Sequence, residues 1–208
     1  GKDLYISFKR EDGNWTKPLN MGNQLNTVSD EISPFLAADN KTLYFASEGH
    51  VGYGKSDIFM SKRLDDSWTN WSEPQNLGPE INGNGWDAYF TLSALRDYAY
   101  IVRNSDIYKI KLSESIKPEH TITVKGFVIN TETNDTIDAV VRNIRLNTDK
   151  TLAISNATRT DPYKFILPLA SKCKLDIETD GFFLPPKIVD LSALTEFKDT
   201  TINLYATS

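Results

Sequence analysis

The sequence is short of the residues that carry most catalytic and metal chemistry. Its 208 residues hold one cysteine, Cys173, and two histidines, His50 and His120. One cysteine excludes an internal disulfide. The histidines lie far apart and neither has a ligand-spaced partner, whereas a zinc centre needs three or four converging ligands. No G-x-S-x-G elbow occurs, so a hydrolase triad of that kind has no anchor. No apolar run approaches the about 20 residues of a helical membrane span, and no signal-peptide pattern is present. Direct membrane insertion is not expected. Lys and Arg, 23 together, are outnumbered by 28 Asp and Glu, for a net charge of −5. That balance argues against a nucleic-acid or anionic-membrane surface, since both recruit basic patches. No catalytic residue, cofactor or metal is assigned. The chain begins at Gly1 rather than at a methionine, which leads us to expect a piece of a longer protein.

What is present is repetition. A hydrophobic content of 39%, with 11% aromatic residues, supports packed cores in one or two domains. Ser33–Ser47 predicts a β-hairpin, with a tight turn at Asp39-Asn40-Lys41 and a β-branched, aromatic return at Thr42–Ser47. Asp and Asn suit the turn because their side chains bond nearby backbone and tolerate left-handed dihedrals. The same pattern returns at Tyr89–Arg103. Trp15 and Trp71, Pro18 and Pro74, Gly22 and Gly78, Asn26 and Asn82, Leu36 and Leu92, and Tyr44 and Tyr100 are all 56 residues apart. A fixed period over unlike residue types marks a repeat architecture. Asp-led strands recur too, at Asp3-Leu4-Tyr5-Ile6, Asp57-Ile58-Phe59-Met60 and Asp106-Ile107-Tyr108-Lys109. Four short strands per repeat match a propeller blade.

Ser33–Ser47 resembles the Ser-Pro-x-x-x-x-Asp-Gly-Lys-x-Leu-Tyr-Phe-x-Ser repeat of WD-repeat-like β-propellers of the TolB type. Gly49–Phe59 resembles the blade linker of envelope proteins of the OmpA family. Asn40 stands where the turn glycine is usual, and Leu95-Arg96-Asp97 replaces Asp-Gly-Lys in the second copy. The resemblance implies a partial propeller of about two blades over residues 1–113, too few to close a ring. The remaining blades are expected outside this chain. Trp15, Trp68, Trp71 and Trp86 are expected to cover seams between neighbouring sheets. In propellers the first strand of each blade lines the central channel. Asp30 and Glu31, with their aligned partners Trp86 and Asp87, are thus candidates for a polar ligand- or partner-binding rim. The plainer role for these residues is to cap strands and bond neighbouring blades.

Residues 114–120 read as a polar linker containing Pro118. From Thr121 the pattern changes to seven short strand segments: Ile122–Asn130, Ala139–Leu146, Thr151–Ser155, Tyr163–Leu167, Cys173–Glu178, Lys187–Leu191 and Thr201–Tyr205. Such spacing predicts a seven-stranded antiparallel β-sandwich over 121–208. Cys173, Leu175 and Ile177 alternate with charged residues, which places Cys173 on a core face. Val124–Val128, Ile137–Ala139, Tyr163–Pro168 and Thr179–Phe182 resemble the carboxypeptidase regulatory-like domain, a transthyretin-like and non-catalytic module. In this chain Asp161-Pro162 precedes the central-strand aromatic where a glycine is usual. The fold class expected is therefore all-β.

The pairing of these two modules resembles the middle of OmpA-family envelope proteins of Bacteroidetes-type bacteria. It implies a non-catalytic scaffold at the periplasmic face of the outer membrane, with a secretion or motility apparatus as one such setting. Other envelope proteins would be its partners, and peptidoglycan would be bound through a domain outside this chain. Two other classes stay open: a module that captures peptide or glycan in the propeller channel, and the accessory part of a peptidase.

Gly49-His50-Val51-Gly52-Tyr53-Gly54-Lys55-Ser56 satisfies the Walker A formula. A working P-loop leads into a helix N-terminus, whose amides and dipole hold phosphate. Here Asp57-Ile58-Phe59-Met60 comes next, a β pattern. We therefore expect no saturable ATP binding by equilibrium dialysis. Binding that is abolished by Lys55→Ala would overturn this.

Overall fold

The structure, a computed structural model, describes every residue except Glu11, Ala170, 194–198 and Ser208. Two units emerge, Gly1–Pro118 and Glu119–Ser208. Both are built from β-strands, with no closed barrel among the described residues.

In the first unit β1 (Tyr5–Ile6) pairs with β2 (Leu19–Asn20). A four-stranded antiparallel sheet succeeds it, made of β3 (Glu31–Leu36), β4 (Thr42–Ser47), β5 (Asp57–Lys62) and β6 (Gln75–Asn76). A three-stranded one comes next, made of β7 (Asp87–Leu92), β8 (Tyr98–Arg103) and β9 (Asp106–Lys111). The 56-residue period survives into the geometry. Glu31 pairs with Ser47, Ile32 with Ala46 and Phe35 with Tyr44; the shifted residues pair as Asp87 with Arg103, Ala88 with Val102 and Thr91 with Tyr100. Each inner strand carries one extra residue, a β-bulge, at the same point. There the backbone turns left-handed, at Ser33 (φ 48°) and at Tyr89 (φ 56°). Turn residues Asn40 (φ 55°) and Arg96 (φ 59°) match as well. Arg96 thus adopts the dihedral that the Asn40 side chain favours, so the hairpin and not the residue type imposes it.

The two hairpins differ in their connection to the next strand. Residues 48–56 join β4 to β5 through a glycine-rich loop, whereas Asn104 and Ser105 alone join β8 to β9. Both of those residues have positive φ, 48° and 76°, as a two-residue hairpin turn requires.

Outer strands β2 and β6 are two residues long, too short to satisfy the strand beside them. An asparagine completes the ladder. Asn82 Oδ1 accepts the Ile58 N–H at 2.8 Å, and its Nδ2 donates to the Ile58 carbonyl and to Asn76 Oδ1, both at 2.9 Å. Asn26 makes the same three bonds to Leu4 and Asn20, at 2.7, 3.0 and 3.0 Å. Gly22 and Gly78 turn the chain toward these asparagines with φ of 94° and 86°, dihedrals that side chains avoid.

β4 is buried along its whole length because both of its faces are covered. Leu43 and Phe45 join Leu4, Met21, Leu25, Phe59 and Trp71 in one cluster. Tyr44 faces the other way, among Ile58, Met60, Ile81, Phe90 and Ile101, and stacks on Phe90 at 4.1 Å between ring centroids. Trp71 and Trp68 serve the seam as expected. Trp15, on the outer side of β1–β2, is largely exposed to solvent among the described residues. The stretch read as a linker is divided between the units. After a 3-10 turn at Glu114–Ile116, Ile116 enters the Tyr44 cluster and its carbonyl accepts the Tyr44 hydroxyl at 2.6 Å. Pro118 closes the first unit, with its carbonyl bonded by Arg96 at 2.9 Å.

In the second unit the strands are β10 (Thr121–Gly126), β11 (Val128–Asn130), β12 (Thr136–Ile137), β13 (Ala139–Ile144), β14 (Thr151–Ala157), β15 (Tyr163–Pro168), β16 (Lys172–Glu178), β17 (Lys187–Asp190), β18 (Thr200–Thr201) and β19 (Leu204–Ala206). One sheet runs β14-β13-β16-β17, and two three-stranded ones run β15-β10-β18 and β12-β11-β19. The unit is not purely antiparallel as expected, because β18 and β19 pair parallel with β10 and β11. The segment 122–130 breaks at Phe127 for a steric reason. The backbone of Ile202 comes so close to Gly126 that a Cβ there would lie 1.9 Å from the Ile202 carbonyl oxygen. Asn203 Oδ1 then accepts the Phe127 N–H at 3.0 Å, so the break leaves no orphan donor. Val124, Val141, Phe165, Leu175 and Leu204 meet in one core with Cys173. Burial there pushes the Cys173 thiol up to about 11.

Because Asn26 and Asn82 do the same work, Asn26→Ala and Asn82→Ala should each lower stability by about 1–3 kcal/mol, the cost of a stranded buried amide and carbonyl. Urea titration of the two variants checks this, and a loss in one alone would break their equivalence.

Candidate functional site

Asp30 precedes β3 and Glu31 opens it, and Trp86 and Asp87 stand in the same places before and at the start of β7. The two sheets meet along these strands, where the Tyr89 N–H reaches Ser33 Oγ at 3.2 Å. Glu31 is buried, and its carboxylate accepts Thr27 N–H (2.8 Å), Thr27 Oγ1 (2.7 Å) and Ser47 Oγ (2.8 Å). Asp87 is buried likewise. It accepts Gly83 N–H at 2.8 Å and Arg103 Nε at 2.7 Å, while Arg103 also donates to the Ile81 carbonyl at 2.5 Å. Thr27 and Gly83, and Ser47 and Arg103, are again 56 apart. Each carboxylate therefore ties the preceding loop to the neighbouring strand of its own sheet. Asp30 accepts the Lys2 N–H at 2.9 Å and pairs with Lys2 Nζ at 3.5 Å. That backbone bond, helped by the Lys2 charge, holds its carboxyl below the usual range.

Trp86 is the member of the quartet left with an aromatic surface to offer. Its ring lies 5.8 Å from that of Tyr89, which is exposed and sits on the left-handed bulge. A tyrosine in this dihedral is strained, and the strain sets its ring beside the indole. Sequence reasoning missed Tyr89, since the aligned residue is Ser33 and a bulge leaves no periodic signal. The Walker-like loop leads into β5 and not into a helix. Its amides are engaged: Tyr53 N–H and Gly54 N–H donate to Asp57 Oδ2 at 2.5 and 3.2 Å, and Lys55 N–H donates to the Gly85 carbonyl at 2.8 Å. A Cβ on Gly52 would lie 1.5 Å from the same Asp57 oxygen, so the glycine serves this internal carboxylate.

The second unit has an open cleft of about 720 Å³ lined by Asp135, Asp138, Arg159, Thr179, Asp180 and Phe182, among others. Its polar floor is internally bonded: Arg159 N–H donates to Asp138 Oδ1 at 2.9 Å, and Thr179 Oγ1 to the Asp138 carbonyl at 2.8 Å. Among the described residues no group of three or more His, Cys, Asp or Glu converges to hold a metal ion. Compared with known protein families the chain matches none, and no curated protein matches it.

Asp87→Asn should cost about 3 kcal/mol, because it leaves the part-buried Arg103 without its counter-charge. Glu31→Gln, whose partners are neutral, should cost about 1 kcal/mol. Chemical denaturation of both variants checks the ranking, and equal losses would contradict it.

Proposed function

We propose that the first unit is a stretch of β-propeller, one complete four-stranded blade flanked by parts of two others. The second unit is a transthyretin-like β-sandwich of the carboxypeptidase regulatory-like kind. Together they act as a non-catalytic scaffold and protein-interaction segment of an outer-membrane-associated, OmpA-family envelope protein. The observation that carries the propeller is the recurrence, at 56 residues, of the same register, bulge and left-handed dihedral in two hairpins. A binding rather than catalytic role is supported by the state of the candidate rim. Its buried carboxylates are held by structural bonds, and its half-buried indole, Trp86, lies beside the exposed Tyr89. Aromatic side chains of this kind supply contact area at protein interfaces.

In the cells that make it, the protein should fractionate with the outer membrane. A photo-crosslinking residue at position 86 should give a discrete protein adduct that survives lysozyme treatment. Recovery in the cytosol, or hydrolytic activity of the pure chain toward peptides or ATP, would overturn this function.

A further inference from the structure

The cleft of the second unit holds polar groups that its own fold leaves without partners. It lies where three connections meet: 131–138, which includes β12, the turn at Arg159 between β14 and β15, and 179–182 after β16. Asn130, at the end of β11, lines this cleft although it is only 8% exposed. Its Oδ1 accepts the Glu132 N–H at 2.9 Å. That bond fixes which end of the amide is oxygen, and the Nδ2 end donates to no described residue. A donor kept among buried atoms needs an acceptor, and the cleft is where one can enter.

Arg159 is held by its backbone and not by its charge. Its N–H donates to Asp138 Oδ1 at 2.9 Å, and its carbonyl accepts the Thr136 hydroxyl at 2.7 Å. Its guanidinium makes no ion pair among the described residues, although three aspartates line the same cleft. Two of these, Asp135 and Asp180, accept no side-chain hydrogen bond from a described residue. Ile137 and Phe182 rest partly on the core and complete the lining with apolar surface.

We infer that this cleft binds a neutral saccharide. Its open groups are of two one-sided kinds, donors on Asn130 and Arg159 and acceptors on the aspartates. An ammonium group only donates, so it would serve the aspartates and leave Asn130 and Arg159 unserved. A carboxylate or phosphate only accepts, with the opposite shortfall. A hydroxyl does both, and adjacent hydroxyls on one sugar ring answer both kinds at once without adding charge. The C–H face of the ring then covers Phe182 and Ile137. The volume of about 720 Å³ falls among the roughly 300–1,000 Å³ of small-molecule sites. The inference rests on the second unit alone and gives it a ligand that the scaffold role does not require.

The test is an amide chemical-shift titration of the isotope-labelled chain with maltose, lactose, mannobiose and N,N′-diacetylchitobiose. Glucuronate and free lysine serve as charged comparisons. At least one saccharide should bind saturably, with a Kd of about 1 mM, and shift the amides of Glu132, Asp138, Arg159 and Asp180. Arg159→Gln and Asp180→Asn alter exposed side chains that bond no described residue, so both variants should keep the wild-type spectrum elsewhere. Each should weaken saccharide binding by about tenfold, the loss of one hydrogen bond to a charged group. Saccharides that leave these amides unmoved, lysine or glucuronate binding more tightly than every saccharide, or variants that bind as the wild type does would each overturn the inference. The crosslinking test of the scaffold uses position 86 in the other unit, so failure of one reading is distinguishable from failure of the other.

Discussion

The first unit depends on a side-chain amide standing in for backbone. Strands β2 and β6 are too short to pair their neighbours fully, and a buried strand with unpaired N–H and C=O groups is costly. Asn26 and Asn82 offer one donor and one acceptor in the spacing of a peptide group and so complete the ladder. The glycine turn, the short outer strand and the second asparagine all serve to hold that amide in place. Glu31 and Asp87 apply the same logic one strand further in, using carboxylates to anchor loops.

With the outer edge secured in this way, stability comes from packing sheet on sheet. β4 has no solvent face, so its sequence reads as an unbroken apolar and aromatic run instead of an alternating one. The Tyr44–Phe90 stack and the Phe59–Trp71 cluster each belong to two sheets at once.

The repeat was legible because period and turn chemistry leave marks in composition. Asp39-Asn40 announced the turn, and Trp, Pro, Gly and Asn at one interval announced the module. Other features left no mark. Tyr89 sits beside Trp86 only because a bulge adds a residue, and nothing in its neighbours' types signals that. Glu31 and Asp87 were legible as a pair but not as buried ones, since their partners come from backbone and from residues on another strand. Trp15 looked like a seam residue, as Trp71 is, because sequence records what a side chain is suited to and not whether a neighbour is present. In the second unit the alternation of β15 and β16 was readable. The parallel pairing of β18 and β19 was not, because it depends on how closely Ile202 approaches Gly126.

The connection between the second and third strands of each sheet spans nine residues in one copy, 48–56, and two in the other, Asn104 and Ser105, with the same strands on either side. Length at that corner is therefore decoupled from the architecture. Foreign sequence spliced between Asn104 and Ser105 would ride on the sheet as a displayed loop, which makes that corner a natural place to graft an epitope or a tag.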